Sequence, residues 1–217
     1  MKYRCLVMDH DDTVVRSAET VNYPALLETL KVMRPGQTAS FEDFTLGCFR
    51  KDFGGFCQER FHFTPEEVQA EFEAWKIYVR THIPPAYEGI GALLQRFRAE
   101  GGIICVSSHS GSENITRDYQ THFGFVPDRI FGWELGERKK PHPFALQEIM
   151  RLYDLRPEQL LMVDDMKPGY TMAHAAGVPF ACAGWSLQFK EMQEFMHHNS
   201  DFYFETVEEF GKFLFST

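Results

Sequence analysis

The sequence predicts an α/β fold: a doubly wound parallel sheet with a small α-helical domain inserted into it. Three observations predict it. Short apolar runs that do not alternate recur along the chain, most of them separated by segments long enough for a helix. Acidic, hydroxyl and basic residues stand at the ends of those runs. After the first run comes a stretch of about seventy residues with no buried-strand pattern, too long for a simple connection.

The first strand is Tyr3 to Met8, and it ends in "DHDDT", with Asp9, Asp11 and Asp12 packed into four positions. Such a cluster is costly unless a cation, water or hydrogen-bond donors offset its repulsion. From Arg16 to about Pro84 the chain carries helix-like stretches at Ala18 to Met33 and Pro65 to His82, separated by turn signals "RPGQ" and "FGGF". Residues 17–84 are therefore expected to form a helical domain inserted between 1–16 and 85–217, with Phe49, Phe53, Phe56, Phe61 and Phe63 in its core. The sheet resumes after "IPPAYEG". Gly89 to Glu100 has helical spacing and is closed by "EGG". Gly102 to Ser107 is the second strand, followed by Ser108, His109 and Ser110. Arg129 to Gly132 is the third strand, Pro143 to Tyr153 a helix, and Gln159 to Asp164 the fourth strand, running into Asp165. Val178 to Ala183 is the fifth. His197 and His198 fall in a polar connector, and "SDFYFETVEEFGKFL" reads as an edge strand followed by an amphipathic helix.

At 217 residues, with 44% hydrophobic and 15% aromatic content, the chain can bury a good core. A net charge of −9 with scattered Lys and Arg gives no basic face, which excludes nucleic acid as the expected partner. No apolar stretch approaches the roughly 20 residues that span a bilayer, so no membrane association is expected. The chain enters its first strand without a basic and apolar leader, and a soluble, cytoplasmic protein is expected. Cys5, Cys48, Cys57, Cys105 and Cys182 form an odd set without a C-x-x-C pair and read as reduced, space-filling thiols.

In open parallel sheets ligands gather at the carboxyl ends of the strands. There this sequence places Asp9, Asp11, Asp12 and Thr13, then Ser107 and Ser108, then Asp164 and Asp165, with Lys139 and Lys140 in the loop "RKKPHP". Carboxylates this close call for a hard cation with oxygen ligands, most naturally Mg²⁺. A cation, a lysine and hydroxyl donors together suit a phosphoryl group, which an aspartate can attack directly. The bland alternatives are that Asp12 and Thr13 form a solvated loop or a helix N-cap and that Ser107, or in preference to it Ser108 or Ser110, caps the following helix.

"DHDDT" at 9–13, Ser107 after an apolar strand, Lys140 in "KKPHP" and "LLMVDDMKPGYTMAHAAGV" at 160–178 together resemble the haloacid dehalogenase-like superfamily of phosphohydrolases. The resemblance implies a Rossmann-like core with a helical cap between the first and second motifs. It implies Asp9 as nucleophile, Asp11 as general acid, Ser107 as hydrogen-bond donor to the phosphoryl group and Lys140 as charge balance. Asp9, the Asp11 carbonyl and Asp165 would hold Mg²⁺, with Asp164 as a further ligand or a supporting partner. Thr13, Ser108, Arg16 and Arg50 are the candidate substrate contacts. The acid at Asp11 separates phosphoryl-transfer members from dehalogenating ones. Small phosphorylated metabolites are the implied substrates of an Mg²⁺-dependent phosphatase. A phosphomutase and a non-catalytic phosphometabolite-binding module remain as alternatives. The chain departs from the family's usual pattern at Asp12 (usually Gly), at Asp164 (usually Gly in a Gly-Asp pair) and at His10 (usually apolar).

Overall fold

The structure is a computed structural model that describes residues 2–216. In chain order it contains strand β1 (Cys5–Met8), a π-helical turn (Ala18–Asn22) running into α1 (Tyr23–Met33), α2 (Phe41–Arg50), α3 (Phe53–Phe61) and α4 (Pro65–Val79). There follow α5 (Ile90–Ala99), β2 (Ile103–Ser107), α6 (Ser112–Phe123), β3 (Arg129–Phe131), α7 (Phe144–Tyr153), β4 (Leu160–Asp164) and α8 (Lys167–Ala176). The chain ends with β5 (Phe180–Ala183), α9 (Lys190–Asn199), β6 (Phe202–Phe204) and α10 (Val207–Phe215). Two units result: Met1–Val15 with Ala86–Thr217, and Arg16–Pro85.

The first unit is a Rossmann-like α/β sheet. All its strand pairs are parallel, and their order is β3-β2-β1-β4-β5-β6. The chain moves outward from β1 through β2 and β3, then starts again on the other side of β1 with β4. The order therefore reverses between β1 and β4, and a crevice opens at that point beyond the carboxyl ends of the strands. Every residue of β1, β4 and β5 is buried, which is why their sequences are continuous apolar runs. Leu6, Met8, Ile104, Val106, Leu161 and Val163 share one core with Leu94, Phe97, Tyr119 and Phe210 from the surrounding helices.

Register matters most for function. Met8 pairs with Val106 on one side and Val163 on the other. The next residue on each strand is Asp9, Ser107 or Asp164, so these three stand in one row at the sheet's carboxyl edge. The Asp9 N–H donates to the Val163 carbonyl at 2.8 Å and continues the ladder by one step.

The second unit is helical and has its own core, built on Leu26, Leu30, Phe44, Phe56, Cys57, Phe61 and Phe63. α4 starts at a reciprocal cap in which Glu67 N–H donates to Thr64 Oγ1 (3.2 Å) and Thr64 N–H donates to Glu67 Oε2 (2.9 Å). Two sequence expectations need correction here. "FGGF" is the first turn of α3 and not a turn signal, because Asp52 Oδ1 accepts from Gly55 N–H (2.6 Å) and caps the helix. α2 was also not expected; it packs on α3 where Gly47 lies against the Phe56 ring, a contact that a Cβ would overlap. A third correction concerns the first unit: His197 and His198 are exposed residues in the last turn of α9 and not a connector. All five cysteines are free thiols. Among the described residues no helix is long and apolar enough to cross a membrane.

Candidate active site

The site is built on the switch point of the sheet. β1 delivers Asp9 at its end, and the chain then makes a tight turn in which the His10 carbonyl accepts from the N–H groups of Val14 (3.0 Å) and Val15 (3.1 Å). Asp12 closes the turn by donating its N–H to the Val15 carbonyl (2.7 Å), with a φ of 54°. That left-handed conformation suits Gly best and is tolerated by Asp better than by most residues. The Thr13 carbonyl accepts from the Trp185 indole N–H at 3.1 Å, which pins the far side of the turn.

Lys140 organises the charges. Its ammonium donates to Asp9 Oδ1 at 2.7 Å and to Asp164 Oδ2 at 2.5 Å, all three side chains being buried. His109 holds the lysine's backbone, since its Nε2–H donates to the Lys140 carbonyl at 2.8 Å. Asp164 uses its other oxygen to accept from Met166 N–H at 2.8 Å. Asp165 is also buried, and its Oδ1 accepts from the Thr13 hydroxyl at 3.4 Å. One oxygen from each of Asp9, Asp164 and Asp165 lies within 4.8 Å of the others, a group able to hold a metal ion. Gly169 at the start of α8 makes room for this packing, because a Cβ there would overlap the Asp164 carboxylate.

The electrostatics follow from three carboxylates facing one ammonium. Burial pushes Asp9 up to about 7, and the charges of Asp164 and Asp11 act in the same direction while Lys140 opposes them. Asp165 is raised well above the usual carboxylate range, by burial first and then by Asp164, Asp12 and Asp9. Burial works against the charge of Lys140, but Asp164 and Asp9 outweigh it and hold the ammonium protonated.

A second group of contacts surrounds Asp11. Its Oδ2 accepts from the Ser110 hydroxyl (2.5 Å) and from the Ser108 hydroxyl (3.3 Å), and Ser110 N–H donates to Ser108 Oγ (3.1 Å). Neither serine caps α6, contrary to that alternative. Glu134 does so instead, accepting from Ser112 N–H at 2.8 Å and from the Ser112 hydroxyl at 3.1 Å. Ser107 is buried beside the Asp9 row, its hydroxyl 3.8 Å from the Met172 sulfur. Arg16 and Arg50 belong to the helical unit, where Arg16 pairs with Glu19 at 3.1 Å and Arg50 is exposed on the last turn of α2. Sequence reasoning missed Ser110 as a partner of Asp11, along with the roles of His109, Trp185 and Gly169. Only Gly169, inside the quoted fourth motif, left a local signal.

Buried acids set against a lysine at the switch point of a parallel sheet are the setting of the site, and the class of protein is that of the hydrolases. The chain belongs to the haloacid dehalogenase-like hydrolases: that family's model matches residues 6–183. Pyrophosphatase PpaX of Bacillus cereus is 24% identical over 199 residues, spanning 87% of this chain and 86% of the relative. Among solved structures, a haloacid dehalogenase-like hydrolase of Bacteroides fragilis superposes with a TM-score of 0.82 at 17% identity, covering 96% of this chain and 100% of the other. CbbY of Rhodobacter sphaeroides, solved with phosphate, gives 0.75 at 17% identity with 96% of each chain covered.

Proposed function

We propose that this protein is an Mg²⁺-dependent phosphatase of a small phosphorylated metabolite, working through a phosphoryl group carried transiently on Asp9. The observation that supports this most directly is the Lys140 ammonium seated between Asp9 and Asp164, with Asp165 in the same buried cluster. The residues fit a divalent cation. Three buried carboxylates face a single ammonium, and Asp9 and Asp165 are raised by burial first and then by the neighbouring acids, both of which a bound cation would offset. The side chains of Asp9 and Asp165 and the carbonyl of Asp11 would hold the ion, with Asp164 supporting. Bound there, Mg²⁺ would offset negative charge on the phosphoryl oxygens.

The residues then divide the work. Lys140 fixes the orientation of Asp9 through Oδ1. An Asp9 oxygen attacks phosphorus, and the bond to the leaving oxygen breaks as Asp11 gives that oxygen its proton. Asp11, now a carboxylate, takes a proton from water. That water attacks phosphorus, the bond to Asp9 breaks, and inorganic phosphate leaves with Asp9 restored. Ser108 and Ser110 orient Asp11 through its Oδ2. Ser107 supplies a hydroxyl to the phosphoryl oxygens, while Thr13 buttresses Asp165.

The test is phosphate release over a panel of sugar phosphates, nucleotides, phosphoglycolate and pyrophosphate, with Mg²⁺ or with EDTA, beside Asp9→Asn. Pyrophosphate is included because the relative PpaX is a pyrophosphatase. Release that needs Mg²⁺ and falls by on the order of a thousandfold in Asp9→Asn is expected. Release that survives the substitution removes Asp9 as nucleophile, and isomerisation with little net release identifies a mutase.

A further inference from the structure

His10 stands between Asp9 and Asp11 in sequence, yet its ring is engaged elsewhere. The ring Nε2–H donates to Asp118 Oδ2 at 3.0 Å, with both side chains 2% exposed. Asp118 lies in α6, where its other oxygen accepts from the Arg117 guanidinium at 2.7 Å. The His10 ring also stacks on Tyr119, the next residue of that helix, with centroids 5.9 Å apart and planes at 28°. The His10 main chain has a different duty, its carbonyl accepting the Val14 and Val15 bonds that close the turn carrying Asp11 and Asp12.

The same two segments therefore meet twice. Asp11 reaches Ser108 and Ser110, which lie between β2 and α6. His10 reaches Asp118 within α6. Directly after Asp11 the chain takes the left-handed conformation at Asp12, a cost that Gly would not carry. An apolar residue at position 10 could pack against Tyr119 but could not hold Asp118, and the buried carboxylate would lose a partner.

We infer that His10 is a positioning residue: its bond to Asp118 locks the strained turn to α6, so that Asp11 is held in register with Ser108, Ser110 and the leaving oxygen. The inference rests on the acid role proposed for Asp11. It also ties together two of the chain's departures from its family's pattern, since the His10 latch holds in place the strain that Asp12 introduces.

The decisive variant is His10→Leu with Asp118→Leu, which exchanges the polar pair for apolar side chains and leaves no unpaired buried carboxylate. Its kcat is expected to fall at least tenfold with KM within twofold of the parent, and Asp12→Gly added to it should recover most of that loss. Amide exchange at Val14 and Val15 should quicken in the double variant and slow again with Asp12→Gly. Asp118→Asn keeps an acceptor for Nε2 and should stay within threefold of the parent kcat. Parent kcat and parent exchange in a folded double variant overturn the inference. Should that variant fold poorly, Asp118→Ala and Asp118→Asn make the same comparison, and equal kcat in those two overturns it. Exchange reads the turn without substrate, so absence of phosphate release from the parent protein would count against the proposed function alone.

Discussion

Glu71 is a carboxyl in α4 with 2% exposure, and burial alone pushes it up to about 7 from an ordinary 4.5. The thiols of Cys48 and Cys57 feel its charge, both being raised by burial first and further by Glu71 and Asp52. Below pH 4.5 the folded and unfolded chains both hold the Glu71 proton. Between there and about 7 the unfolded chain has released it and the folded chain has not, so unfolding releases a proton. Stability then falls by about 1.4 kcal/mol for each pH unit, and above 7 the loss is complete. Across the interval from 4.5 to about 7 the loss amounts to about 3 kcal/mol. Glu71→Gln keeps the shape and removes the titration. Its stability relative to the parent should rise from no pH-dependent gain near pH 4.5 to about 3 kcal/mol at pH 8. Urea unfolding at several pH values, read by amide exchange along α4, measures the difference. A gap between variant and parent that is flat with pH would refute the reasoning, because it would mean that a partner of the ionised carboxylate outweighs its desolvation.

Lys140→Met leaves Asp9 and Asp164 without their ammonium and should cost about 3–5 kcal/mol in denaturant unfolding without metal, with part of that recovered by added Mg²⁺. An unchanged midpoint would contradict the charge balance described for the site. Gly169→Ala drives a methyl into the Asp164 carboxylate and should lower stability by about 1–3 kcal/mol, with phosphate release falling as Asp164 leaves Lys140. Asp165→Asn should weaken Mg²⁺ binding, read by calorimetry, more than Asp164→Asn does. Asp164→Asn should give the larger loss of stability, and the reverse order would exchange the roles of the two acids.

The sheet could be read from the sequence because its central strands are buried on both faces, so "CLVM" and "LLMV" carry no alternation to confuse them with amphipathic segments. Position at the strand ends was legible for the same reason: once the runs are placed, Asp9, Ser107 and Asp164 fall at their ends. What each side chain touches was not legible. The His10 bond spans 108 residues, the Glu134 cap of α6 spans 22, and neither leaves a local pattern. The helical unit misled in another way. The glycines of "FGGF" were read as a chain reversal, whereas Gly55 receives the Asp52 cap, and Gly47, which lets two helices approach, was not singled out. Glycine marks small volume as often as it marks a turn, and sequence alone does not say which. α9 went unread because only Met192 and Met196 of its ten residues are buried, too thin an apolar stripe among polar neighbours.

The difference between the adjacent acids at the end of β4 follows from what already occupies their oxygens. Asp164 accepts from Met166 N–H through Oδ1 and from Lys140 through Oδ2, and it has no exposure at all. Its charge is matched by a full ammonium at 2.5 Å, so a cation would have to compete with both donors for it. Among the described residues Asp165 has a single long bond, 3.4 Å from the Thr13 hydroxyl, and it is raised by burial first and then by the acids around it. A neighbouring positive charge therefore relieves more repulsion at Asp165 than at Asp164. In the proposed mechanism Asp165 is accordingly the ligand and Asp164 the group that keeps Lys140 beside Asp9. Gly169 supports the second assignment: the fold leaves out a side chain in α8 so that the Asp164 carboxylate can stay where the lysine needs it.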